Sequence, residues 1–153
     1  MIRLATSKDT LAIWQIRTQA ILTSCVTDYS AEIASKWAHS PMPQGFDMIL
    51  LKLKALVFVQ DGKLLGFGFI DVETGCLEAL FVAPESHGCG VGKAIARELE
   101  LQAIAAGLKS LSLSSALNAL CFYQSLGYLA KSQTTWQHPL GFELACVPMS
   151  KTL

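Results

Sequence analysis

Three glycines fall within five residues, at Gly88, Gly90 and Gly92, in the run His87-Gly88-Cys89-Gly90-Val91-Gly92-Lys93. Upstream, Cys76–Val82 has the composition of a strand, and Ala83-Pro84-Glu85 breaks it. Downstream, an amphipathic helix is predicted from about Val91 to Ala106, with Gly107 as its stop. Glycines between a strand and a helix let the backbone come close to a ligand. The free N–H groups at the helix start, together with its dipole, favour an anion there, and a pyrophosphate is the natural guest. The simpler alternative is a tight turn with no ligand, but three glycines so close lose more chain entropy than a plain turn requires.

Two nucleotide patterns fail on the residues. G-x-G-x-x-G started at Gly88 or Gly90 needs glycine at Lys93 or Ile95. The P-loop, with Gly92-Lys93 as its G-K, needs glycine at His87 and Ser or Thr at Ala94. Both patterns also belong to parallel β-α-β units, whereas this strand arrives from an antiparallel meander. Ala55–Gln60 and Lys63–Asp71 are joined by Asp61-Gly62, a tight-hairpin signal, and a turn near Glu73-Thr74-Gly75 leads into Cys76–Val82.

The rest of the chain completes a mixed α/β pattern. Ile2–Ala5 reads as an opening strand. Thr6 and Asp9 form a capping box ahead of a helix in which Leu11, Trp14, Ala20 and Ile21 share a side. Ser30 caps a second helix containing Ile33, Ala34 and Trp37, which ends near His39 before Pro41 and Pro43. Beyond Gly107 come a strand at Ser110–Leu113, a helix at Asn118–Leu126 and strands at Tyr128–Trp136 and Phe142–Met149. The expected order is β-α-α-β-β-β-α-β-α-β-β in one domain, residues 1–153: a mixed, mostly antiparallel sheet with helices on both faces.

Composition removes several function classes. Twelve Lys+Arg balance twelve Asp+Glu, seven against seven up to Gly75 and five against five after it, so no basic region is set up to grip nucleic acid. Mean hydropathy is high at +0.41. Yet the most apolar stretches, Ala55–Val59 and Leu64–Ile70, are strand-length, far short of the roughly 18 residues of a membrane span. Charges at Arg3, Lys8 and Asp9 interrupt any signal-peptide core, so a cytoplasmic protein is expected. Cys25, Cys76, Cys89, Cys121 and Cys146 are odd in number and widely spaced, which fits reduced thiols. His39, His87 and His138 are equally scattered, and no metal site is expected.

Two segments carry a family resemblance. Leu80-Phe81-Val82-Ala83-Pro84-Glu85 followed by the glycine run resembles the acetyl-CoA motif of the GNAT superfamily of N-acetyltransferases, Gln/Arg-x-x-Gly-x-Gly/Ala. Gly90 and Gly92 match it, and His87 stands where Gln or Arg is usual. Downstream, Asn118-Ala119-Leu120-Cys121-Phe122-Tyr123-Gln124-Ser125-Leu126-Gly127-Tyr128 is similar to the family's N-x-x-A-x-x-F-Y-x-x-x-G-F/Y block, with the alanine displaced to Ala119. Tyr29-Ser30-x-Glu32, Trp37 and Met149-x-Lys151 are similar to the small YafP-like branch.

The resemblance implies transfer of an acetyl group from acetyl-CoA to a primary amine of a small molecule or peptide, without a metal. His87, Gly88, Cys89, Gly90, Val91, Gly92 and Lys93 would hold the pyrophosphate, and Leu80, Phe81 and Val82 would pair with the pantetheine arm like an added strand. A backbone N–H of that strand can also stabilise the developing oxyanion. Glu78 would be the base, or Cys76 two residues earlier; strand alternation puts Glu78 on the face of Leu80 and Val82. An amine with a pKa near 10 needs such a base at neutral pH. Tyr123 would be the acid for the leaving thiolate. Asn118 would cap its helix and bond the pantetheine, and Phe122 would wall the cofactor.

The acceptor site is expected among Trp14, Arg17, Tyr29, Glu32, Trp37, Trp136, His138 and Glu143, beside the Pro41–Phe46 loop. Two other readings stay open: a non-catalytic acyl-CoA-binding module of the same fold, and a nucleotide-binding domain, which the failed glycine patterns disfavour. A homodimer through the C-terminal strands is the expected assembly.

Overall fold

The computed structural model describes residues 1–153. Strand β1 (Ile2–Leu4) leads through a single 3-10 turn into α1 (Thr10–Ser24), followed by α2 (Ala31–Ala38) and α3 (Phe46–Lys52). The meander β2 (Leu56–Gln60), β3 (Lys63–Asp71) and β4 (Cys76–Val82) comes next, then α4 (Val91–Ala105), β5 (Ser110–Ala116) and α5 (Leu120–Ser125). The chain closes with β6 (Leu129–Ala130), β7 (Thr134–Gln137) and β8 (Glu143–Thr152). The strands form one sheet in the order β1-β2-β3-β4-β5-β8-β6, with β7 also on β8. Every pairing is antiparallel except that of β4 with β5. The mixed, mostly antiparallel sheet with helices on both faces that is expected from the sequence is present.

Alternation sorts the side chains onto two faces. On one, Leu56, Leu80, Val82, Leu111, Leu113, Val147 and Met149 pack with Val91, Ile95 and Leu99 of α4. On the other, Val57, Phe67, Phe69 and Phe81 pack with Ile13 and Ile16 of α1 and with Phe46 and Leu50 of α3. Helix α4 lies close on β3 because Gly68 has no side chain: a Cβ there would sit 2.9 Å from Leu99 Cδ1 and 3.0 Å from the Ala79 carbonyl oxygen.

The capping box is formed: the Asp9 carboxylate accepts the Thr6 N–H at 2.7 Å and pairs with Arg3 at 2.8 Å. Three details differ from the sequence reading. Leu11 is exposed, and the buried side of α1 is Ile13, Ile16, Arg17, Ala20 and Ile21; apolar residues lie all round its first turns, so periodicity does not fix the phase. Helix α3 was not expected; it is seven residues long with only Phe46 and Leu50 buried, too short for a clear period. The expected strand Tyr128–Trp136 is two strands. Ala130 pairs with Met149 but Thr134 with Cys146, a slip of one residue. Between them lies Pro148, which accepts from Lys131 N–H but has no N–H to return.

Candidate active site

Strands β4 and β5 touch at a single pair, Cys76 with Ser112, and then diverge. From Leu77 onward the β5-side edge of β4 has no strand partner, and the sheet opens into a cleft of about 830 Å³. One side of the cleft is β4 and the glycine turn. The other is the end of β5, the turn before α5, and β8. Helix α4 packs on one face of the split sheet and α1 on the other, so the cleft runs between the two layers.

The glycine turn gathers unpaired backbone N–H groups into a cradle of a kind that suits an anion. Gly88 and Gly90 have φ of 78° and 83°, a conformation that side chains resist. The first helical bond of α4 is Ala94 N–H to Gly90 C=O, at 3.0 Å. The N–H groups of Gly88, Gly90, Val91, Gly92 and Lys93 therefore have no acceptor within the chain. They cluster at the positive end of a 15-residue helix. Phe122 packs on Gly92, where a Cβ would sit 3.2 Å from its ring. The His87 ring folds back and donates from Nε2 to the Val82 carbonyl at 3.0 Å, tying the turn to the end of β4.

Glu78 sits on a β-bulge. Ile70 faces Leu77 and Phe69 faces Ala79, which leaves Glu78 as the extra residue of β4. This corrects the simple alternation of the sequence reading: Leu77, Leu80 and Val82 share the α4 face, while Ala79 and Phe81 turn to the α1 face. Glu78 is exposed and lines the cleft. Burial, with the neighbouring Glu78 carboxylate adding to it, pushes the Cys76 thiol up to about 11.

Tyr123 also lines the cleft, on α5, although most of its ring is buried against Tyr128 and Phe122. Burial alone holds its phenol well above the ordinary tyrosine value, so it stays protonated through the neutral range. Asn118 lines the cleft but does not cap α5. Its residue lies one place too early, Ala119 holds the N-cap position, and the Asn118 Oδ1 accepts from Cys25 Sγ at 3.3 Å.

Glu78, Tyr123, Leu80, Phe81, Val82, His87, Gly88, Gly90, Val91, Gly92, Lys93, Asn118 and Phe122 all reach the one cleft. Cys89 does not line it: its side chain is exposed, with Sγ 3.8 Å from the His87 carbonyl oxygen.

Of the acceptor candidates, Tyr29, Trp37 and Trp136 line the cleft. The other five do not. Trp14 packs edge-on to Phe46, and the buried Arg17 lies over Trp14 and bonds the carbonyls of Trp37 and Ala38. Glu32 pairs with Lys36 on the surface, His138 stacks on Phe142, and Glu143 stands exposed opposite Gln137 on β7. The Pro41–Phe46 loop is also outside the cleft.

The sequence reading missed Cys25, Ser114, Leu144 and Cys146, which line the cleft too. Only the fold brings them there, since none belongs to a local motif. Burial pushes the Cys25 thiol up to about 11, with Asp28 adding to the shift. No group of His, Cys, Asp and Glu is arranged to hold a metal ion, and no helix is long and apolar enough to cross a membrane.

A family model described as the acetyltransferase (GNAT) domain matches residues 25–153. Among solved structures, a GCN5-related N-acetyltransferase from Rhodopseudomonas palustris is similar over all of this chain and 95% of its own, at 26% identity and a TM-score of 0.90. A phosphinothricin acetyltransferase from Sinorhizobium meliloti, solved with acetyl-CoA, is similar at 19% identity and 0.69, over all of this chain and 88% of its own. An N-acetyltransferase from Thermoplasma acidophilum in complex with coenzyme A is similar at 16% and 0.69, over all of this chain and 98% of its own. The split sheet, the glycine cradle and the match over most of the chain lead to one assignment: the protein belongs to the GNAT family of acetyltransferases, enzymes whose acetyl donor is acetyl-CoA.

Proposed function

We propose that the protein moves an acetyl group from acetyl-CoA directly to a primary amine, with Glu78 as the base and Tyr123 as the acid. The observation that carries this reading is the placing of both side chains on one cleft whose far end is the glycine cradle. The free N–H groups from Gly88 to Lys93 suit a pyrophosphate, with Lys93 as an added cation. The unpartnered edge of β4 suits an amide-rich arm, which would add to it as a strand. The bulge re-aims Glu78 relative to its strand neighbours, and its side chain lines the cleft in which an amine would meet the thioester. Glu78 takes the ammonium proton, directly or through water, and the free amine attacks the carbonyl carbon. The C–S bond then breaks, the thiolate takes the phenol proton of Tyr123, and the acylated nitrogen sheds its extra proton, which restores the phenol and leaves a neutral amide.

A covalent cysteine route is disfavoured. The thiolate is the nucleophilic form, and both Cys25 and Cys76 are held as thiols by burial. The reading treats residues 1–153 as one working domain. Its place in the YafP-like branch rests only on Tyr29, Glu32, Trp37 and the Met149-x-Lys151 ending.

Two variants test the roles. Tyr123→Phe should lower kcat by about 100-fold or more, and Glu78→Gln by about 100-fold at neutral pH. In calorimetric titration both should bind acetyl-CoA within about threefold of the parent, since neither touches the cradle. Unchanged turnover in both variants would remove the assigned roles, whereas acetyl-CoA binding by the parent with no turnover of any amine would favour a non-catalytic acyl-CoA-binding module.

A further inference from the structure

The cleft is chemically lopsided. Its charged side chains are Lys93 at the glycine turn, where the His87 imidazole also lies, and Glu78 on the bulge. The end supplied by α1, α2, β7 and β8 presents Tyr29, Trp37, Trp136 and Leu144, with the thiols of Cys25 and Cys146. These are neighbours: Tyr29 and Trp37 meet edge-to-face at 5.7 Å, Trp136 is paired with Leu144, and the Tyr29 hydroxyl donates to the Ala145 carbonyl. That hydroxyl also accepts from Leu117 N–H at 3.1 Å, so both of its roles are filled within the protein and the ring is what remains to offer. Arg17 lies beneath this end but is turned away. Its guanidinium bonds the Trp37 and Ala38 carbonyls and Ser40 Oγ, with its flat face on Trp14.

We propose that the acceptor is a small amine with an apolar, aromatic body and no carboxylate or phosphate. This deepens the transfer reading and rests on it. An acceptor carboxylate would enter a half of the cleft with no cation to meet it, and an unpaired charge is costly away from water. A second ammonium on the acceptor would find no carboxylate beyond Glu78. An aryl body, by contrast, finds three rings to pack on, edge-on or offset.

The test compares three probes at saturating acetyl-CoA: phenethylamine, phenylalanine (the same body with a carboxylate) and spermidine (several ammonium groups and no ring). Phenethylamine should exceed both others by about 100-fold in kcat/KM. Trp136→Ala, at a half-exposed position, should raise the phenethylamine KM by about tenfold and leave the acetyl-CoA KM unchanged. Trp37→Leu should do the same from the other wall.

Equal use of phenylalanine or spermidine would overturn the proposal while leaving acetyl transfer intact, as would an unchanged KM in both variants. A separate readout is quenching of tryptophan fluorescence by phenethylamine in the presence of CoA. Quenching without turnover of any probe would support the pocket and overturn the transfer reading. The absence of both quenching and turnover would overturn the proposal.

Discussion

The two halves of the cleft are built in different ways. The half proposed for acetyl-CoA comes from one run of chain, Cys76 to Lys93, together with the Asn118–Tyr123 segment that packs on it. Much of its chemistry is backbone: an open strand edge and a row of free N–H groups. The half proposed for the acceptor is assembled from two regions far apart in sequence, the α1–α2 pair with its connection and the β7–β8 hairpin, and would work through side chains. A backbone site needs particular conformations, which leave glycines in the sequence. A side-chain site needs only neighbours, and the fold supplies those from anywhere.

Breaking the backbone half should have the largest effect. Gly90→Val forces a β-branched residue into φ 83° and disturbs the N–H groups around it. Acetyl-CoA affinity should fall by about tenfold or more in calorimetry. Acceptor binding, read as fluorescence quenching by phenethylamine, should change little. Equal loss of both ligands would show that the halves are not separable.

A cut at the seam between the halves should cost less. The Tyr29 hydroxyl joins β8, through Ala145, to the Leu117 turn that leads into Asn118 and α5. Tyr29→Phe leaves a carbonyl and an N–H without that partner. It should destabilise the fold by about 1–3 kcal/mol in urea unfolding. It should also lower kcat several-fold, because α5 carries Tyr123. Full activity with full stability would mean that the turn is held by other contacts.

The smallest effect should come from the base of α1. Arg3 first, and then the Thr6 N–H, hold the Asp9 carboxyl below its ordinary value. A carboxylate depressed in the folded state stabilises above its unfolded pKa, and that gain is lost as pH falls through the lower folded value. Thermal unfolding should therefore show Asp9→Asn less stable than the parent by about 1 kcal/mol at pH 7. The gap should close below about pH 4. A gap that does not change with pH would indicate a loss of packing rather than of charge.

These differences explain what could be read from the chain alone. The strand, break and glycine run gave β4, the turn and α4 because each has a local signal, and the Asn118–Tyr128 block placed Phe122 and Tyr123 for the same reason. The place of Glu78 on the cleft strand is legible in the sequence, but its bulge is not, because a bulge is a relation between two strands and depends on the register of β3. Trp14 and Arg17 looked like acceptor residues from their side-chain types, yet they pack inward beneath α2 and α3. Cys25, Ser114, Leu144 and Cys146 carry no motif, and only the packing of α1, β5 and β8 around the split brings them together.

Direct transfer across the cleft is the central claim, and two-substrate kinetics paired with the protein's own mass tests it most directly. Initial rates should be measured with acetyl-CoA and phenethylamine both varied. The intact mass should be recorded after acetyl-CoA alone. The account predicts intersecting double-reciprocal lines and an unmodified protein, because both substrates must be present when the acetyl group moves. Parallel lines with an acetyl adduct on Cys25, Cys76 or Cys146 would contradict it and transfer the chemistry to a thiol of the cleft.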